Sequence, residues 1–206
     1  MFKRLAAAQF LLLLFQTICY FGCEKLQKNP HDVKKSADER IPFLPWTVGL
    51  YCLWFPLIVL FPLALYYADP SVYVLYITTT VFEIIISVLC YLICPTTFER
   101  PVPPDTFWGK CMKLVYFGSY RGLNCAPSLH CSTCYLVIFT AACCGSLPMW
   151  IRLAAVLIAA LIVMSTLTTR QHVLIDVLTA IPLFGVCLIL GKSFPMTALA
   201  GWIAGT

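Results

Sequence analysis

The chain has 206 residues, 61% of them hydrophobic and only 11% charged, with a net charge of +5. Soluble domains are about half apolar and about one-quarter charged, so this composition excludes a water-soluble globule and makes lipid the solvent. The basic residues cluster between apolar runs, which argues against a nucleic-acid partner and suits lipid headgroups or an anionic substrate group.

Crossing about 30 Å of hydrocarbon takes about 20 largely apolar residues, and the backbone there must satisfy its own hydrogen bonds as helix. The first apolar run, Leu5–Phe21, follows Lys3 and Arg4, a pattern it shares with a secretory signal peptide. Bulky Phe15, Ile18, Tyr20 and Phe21, with no small-x-small cleavage site after them, favour a retained helix. Residues 24–45 form a charged linker, read as a solvated connector that ends in Ile-Pro-Phe-Leu-Pro at 41–45. The second run, Trp46–Tyr67, contains Pro56 and Pro62 and is expected to kink.

The third run, Val72–Ile93, places Glu83 near mid-membrane, where an ionised carboxylate costs several kcal/mol. A hydrogen bond to one of Thr78–Thr80, or a place near the chemistry, would accommodate it. Residues 94–127 make a long loop with Arg100, Asp105, Lys110, Lys113 and Arg121, and loops of that length are usually functional or disordered. Its aromatics, Phe107, Trp108, Tyr116, Phe117 and Tyr120, suit the membrane interface. Three further runs, Ser128–Cys144, Met149–Thr166 and Val173–Leu190, complete the chain. The expectation is a single all-α integral membrane domain over residues 1–206, a bundle of six transmembrane helices.

Of twelve cysteines, Cys52, Cys90, Cys134, Cys143, Cys144 and Cys187 fall within apolar runs, where cysteine acts as a small hydrophobe. Cys19 with Cys23, or Cys94 with Cys111 or Cys125, could meet at a membrane surface. No zinc-like spacing and no carboxylate cluster suited to magnesium stands out, so neither a metal nor a cofactor is expected.

Two of the three histidines, His130 and His172, sit where loops enter helices. Asp176 lies four residues after His172, so on a helix the carboxylate can hold one imidazole nitrogen and leave the other for attack. Pro127-Ser128-Leu129-His130 opens a helix. There Ser128 can cap, and first-turn amides from Leu129 onward can face an anion. Arg100 offers a planar fork for two phosphate oxygens, and Arg121 and Arg170 could neutralise further charge. Each element alone is commonplace: an interfacial histidine, a serine cap, a loop arginine.

In order, Arg100-Pro101, Pro127-Ser128-Leu129-His130, and Ser165 with His172 and Asp176 resemble the three-part signature of the type 2 phosphatidic acid phosphatase superfamily. Two positions depart from it: Ile93 stands where that signature has lysine, and Thr166 where it has arginine. Pro95-Thr96-Thr97, Asn124-Cys125-Ala126-Pro127 and Thr169-Arg170-Gln171-His172 look like the branch of inositol phosphorylceramide and sphingomyelin synthases. The resemblance implies that superfamily's six-helix membrane fold. It also implies a lipid phosphatase or headgroup phosphotransferase with His172 as nucleophile, Asp176 as orienter, His130 as acid, Arg100 and Ser128 on phosphate, and a site on the extracytoplasmic or lumenal face. A lipid phosphate or phospholipid would be the substrate; nothing in the sequence sets an oligomeric state. A transporter lined by these ionisable side chains, or a scaffold without activity, remains the alternative.

Overall fold

The computed structural model describes residues 2–119 and 122–205; Tyr120 and Arg121 lie outside them. The architecture is helical: α1 (Phe2–Leu26), α2 (Ser36–Glu39), α3 (Val48–Cys52), α4 (Trp54–Ala68), α5 (Pro70–Ile93), α6 (Phe107–Gly118), α7 (Leu129–Cys143), α8 (Met149–Thr168), α9 (Leu174–Ser193) and α10 (Thr197–Ala204), with two-residue strands β1 (His31–Asp32) and β2 (Thr96–Thr97). Among the described residues five stretches are long and apolar enough to cross a membrane: Phe2–Leu26, Pro45–Ala68, Pro70–Ile93, Met149–Thr168 and Leu174–Ser193. The remaining apolar helix, Leu129–Cys143, has 15 residues, or about 22 Å at 1.5 Å per residue, less than the hydrocarbon thickness. The outer faces carry exposed Phe10, Leu60, Ile93, Leu157 and Ile189, the surface of a multi-pass membrane protein.

Proline chemistry explains how the second span is built. Pro56 cannot donate to the carbonyl of Cys52, and the span breaks there into α3 and α4 around Leu53. Pro62 likewise leaves the carbonyl of Ile58 without its helical donor, and the Gln9 side chain of α1 donates to that oxygen at 2.8 Å. A freed carbonyl in lipid is thus satisfied by a neighbouring helix. Asp69 caps α5 by accepting from the Ser71 and Val72 amides, with Pro70 at the first helical position.

Inside the bundle α5 packs closely on α9, where a Cβ at Gly191 would collide with Thr79. Glu83 is fully buried, but its partner is Ser132 of α7, whose Oγ donates to Oε1 at 2.5 Å, and not the threonines beside it. Thr80 donates back to the Tyr76 carbonyl instead, as helix-interior threonines do. All twelve cysteines are free, so none of the three disulfide pairings considered from the sequence forms.

The linker is more than a solvated connector. α1 extends to Leu26, β1 pairs in parallel with β2, and Asp38 is buried at 1% exposure. Loop 94–127 also contains an ordered helix, α6, capped by Thr106.

Candidate active site at the paired histidines

His130 and His172 stand together at one end of the bundle, their ring centroids 5.7 Å apart. α7 brings the first. Ser128 at its N-cap accepts the Cys131 amide at 3.3 Å, the capping expected from the sequence, which leaves Leu129 and His130 as the first residues of the helix. The same end of the helix is tied to the second motif, because the Ser128 amide donates to the Asp176 carbonyl at 3.1 Å. Tyr91 of α5 donates to the Pro127 carbonyl at 2.7 Å and holds the approach to the cap.

The turn between α8 and α9 brings the second histidine. Helix α8 closes with the Gln171 amide on the Thr166 carbonyl at 3.0 Å and the Arg170 amide on the Leu167 carbonyl at 3.1 Å. This pattern needs a left-handed residue at the position after the cap, and Arg170 occupies it with φ of 53°. The chain reverses, and His172 Nδ1 comes to lie 3.0 Å from Asp176 Oδ2. That same oxygen accepts the Val173 amide at 3.0 Å, so one buried carboxylate orients the imidazole and caps α9. With Nδ1 held, Nε2 is the nitrogen left for chemistry.

Sequence reasoning missed two contributors. Tyr51 of α3 places its hydroxyl 3.0 Å from His130 Nε2, while Trp54 stacks on the same imidazole at a centroid separation of 4.3 Å. Asp38, in what reads as a polar linker, accepts the Leu174 amide at 2.8 Å and the Lys35 amide at 2.7 Å. It thereby supplies a cap to α9 from 136 residues away. The only sequence signal for either was position: Tyr51 lies four residues before Phe55 at a proline-broken span, and Asp38 in a charged segment. Asp38→Ala is expected to lower stability by about 1 kcal/mol, as loss of a helix cap does. A thermal melt of the variant beside the unaltered protein measures the loss.

The arginines divide. Arg100 Nη1 donates to the Ser119 carbonyl at 2.9 Å and to its Oγ at 3.0 Å, and its Nε is buried without a hydrogen-bond partner. Its guanidinium stacks over Tyr116 at 5.2 Å. Burial pushes the Tyr116 phenol up to about 12, against the opposing pull of Arg100 and Arg170. Arg170 spends Nη1 on the Asp38 carbonyl and Nη2 on the Ile41 carbonyl, which makes it first a clamp on the linker. Both arginines nevertheless line a cavity of about 310 Å³ with Lys34 and Val173, the residue next to His172. Arg121 lies outside the described residues.

At the third motif Ser165 is fully buried and donates to the Ile162 carbonyl within its own helix at 2.7 Å, and Thr166 does the same with Val163. Neither hydroxyl is directed at the histidines by these bonds. Ile93, where the resembling signature has lysine, is 83% exposed at the end of α5. The segment Thr96–Thr97 knits the site loops together: Thr96 Oγ1 accepts the Ala126 amide at 2.9 Å, and Thr97 Oγ1 donates to the Gly122 carbonyl at 2.9 Å. Among the described residues no three of His, Cys, Asp and Glu gather so as to hold a metal ion. No protein-family model, characterised protein or solved structure matches the chain.

Proposed function

We propose that this is a six-span membrane enzyme of the type 2 phosphatidic acid phosphatase kind, a lipid phosphatase or headgroup phosphotransferase working through a phosphohistidine. The observation that carries the reading is the Asp176-held His172 facing His130 across 5.7 Å between ring centroids, with a basic cavity alongside. His172 Nε2 attacks phosphorus and the P–O ester bond breaks. His130 gives its proton to the departing alcohol oxygen. Water or a second alcohol then attacks, the P–N bond breaks, and His130 takes the proton back. Arg100, with Nε unpaired, and the first-turn amides of α7 at Leu129 and His130, beyond the Ser128 cap, offset the phosphoryl charge. Asp176 is matched to the positive charge that forms on His172.

On this reading the short helix α7 is the sixth span, shortened because its N-terminus starts below the surface at the reaction centre. The site faces the extracytoplasmic or lumenal side. The test is purified protein in vesicles with phosphatidic acid and mixed phospholipids, following free phosphate and new lipid products. Free phosphate assigns a phosphatase, and a new phospholipid without it assigns a transferase. Absence of both in the unaltered protein overturns the enzyme reading.

A transporter reading has one observation in its favour, the buried file of Thr79, Glu83 and Ser87 on α5, in which Thr79 Oγ1, Glu83 Oε2 and Ser87 Oγ lack hydrogen-bond partners. Solute uptake into vesicles that collapses in Glu83→Gln while no ester is consumed would favour it.

A further inference from the structure

Two approaches of opposite character open at the histidine end of the bundle. One is the cavity of about 310 Å³ edged by Lys34, Glu99, Arg100 and Arg170, whose wall includes Val173, next in sequence to His172, but neither histidine. The other is a groove of about 590 Å³ between α1, α3–α4 and α6, which ends on Tyr51 and His130. Its walls are largely apolar, and Phe21, Phe55 and Leu114 at its rim are 45%, 55% and 73% exposed. In a membrane protein such a rim meets acyl chains, so the groove opens sideways into the bilayer. Arg100 bridges the two approaches, since it borders the basic cavity while bonding to Ser119 on the groove wall.

We propose that this groove holds the hydrocarbon chain of the alcohol half of the ester, entering laterally from the lipid, with its oxygen delivered to His130 where the Tyr51 hydroxyl now sits. The inference rests on the phosphoryl-transfer reading and assigns its two substrate halves to opposite sides of the histidine pair. Tyr51 marks the spot because its oxygen lies 3.0 Å from His130 Nε2, the separation an ester oxygen needs to receive that proton. The groove wall includes His130, while the basic cavity lies on the Val173 side. Phosphate oxygens therefore belong with the arginines, and the departing oxygen with its chain belongs with the groove. As the chain seats, the ester oxygen replaces the phenol at Nε2. The P–O bond breaks, the His130 proton moves to that oxygen, and the alcohol remains in the groove. The reverse step needs no further reagent: an alcohol in the same groove gives its proton to His130 and attacks phosphorus, the P–N bond breaks with its electron pair returning to His172 Nε2, and the alcohol leaves as a phosphate ester.

The test compares hexadecyl phosphate with butyl phosphate in vesicles containing the full chain. Thr17→Trp and Val115→Trp fill the groove from α1 and α6, and Ile189→Trp, on the exposed side of α9, serves as control. Partition into the bilayer is common to all proteins, so the ratio of kcat/KM for the long over the short ester isolates the groove. That ratio is expected to fall about tenfold or more in each groove variant, because a pocket of fixed shape discriminates by chain volume, and to stay unchanged in the control. An unchanged ratio in both groove variants, or no chain preference in the unaltered protein, overturns the groove assignment alone. No turnover of either ester by the unaltered protein overturns the phosphoryl-transfer reading with it.

Discussion

Asp176→Asn is expected to lower turnover on the order of 10²- to 10³-fold while the protein stays folded, and His172→Ala to remove turnover and covalent labelling altogether. Oδ2 of Asp176 receives two N–H donors, His172 Nδ1 and the Val173 amide. An asparagine must turn its carbonyl to that position, because its NH2 group would confront the Val173 N–H. The tautomer of His172 is therefore kept and the loss reports the missing negative charge, which is why it should be smaller than the roughly 10⁴-fold penalty of an inverted tautomer. The measurement is brief incubation with radiolabelled lipid phosphate, then denaturation and detection of an acid-labile, base-stable phosphoprotein. Labelling that survives His172→Ala, or turnover untouched by Asp176→Asn, removes His172 from the nucleophile's role.

Apolar runs were readable because hydropathy depends on composition alone, so the helices appear within a few residues of where the sequence puts them. The ends differ where a cap or a break decides. α9 begins at Leu174 because Asp176 and Asp38 cap it, and the second span divides at Leu53 because Pro56 abandons the Cys52 carbonyl. The His172–Asp176 bond was legible since both ends lie on one helical turn. Bonds between distant segments were not. Ser132 lies 49 residues from Glu83, Tyr51 lies 79 from His130, and Asp38 lies 136 from Leu174. No local periodicity encodes such pairings, which follow from which helix faces which. Arg170 shows the same limit: a basic residue beside a histidine suggests phosphate, yet its left-handed φ directs the guanidinium onto the linker carbonyls.

The linker's engagement changes how the site is understood. Arg170 grips the Asp38 and Ile41 carbonyls, Asp38 holds the α9 N-terminus, Leu44 donates to Thr168 at 2.9 Å, and β1 lies on β2. Four contacts from one polar segment converge on the His172 turn and the loop that carries Arg100. A geometry held within hydrogen-bond distance at a membrane surface, where water competes for every donor, needs such a brace. The charge that first suggested simple solvation therefore includes residues that set the position of His172.

The leaving group decides the outcome of the last expectation. His130→Asn keeps a hydrogen-bonding side chain toward Tyr51 and fills much of the space beside Trp54, but it cannot release a proton as imidazole does. For an alkyl phosphate, whose alkoxide is a poor leaving group, the rate should fall about 10²- to 10⁴-fold, the contribution of a positioned general acid. For 4-nitrophenyl phosphate, whose phenolate departs without a proton, the fall should be less than about tenfold. A common nucleophilic step through His172 makes the comparison internal, since damage to folding, to the Asp176 pair or to phosphate binding lowers both rates equally. Equal losses on the two esters would assign His130 to binding or packing, and a selective loss on the alkyl ester would place its proton on the departing oxygen, at the inner end of the groove.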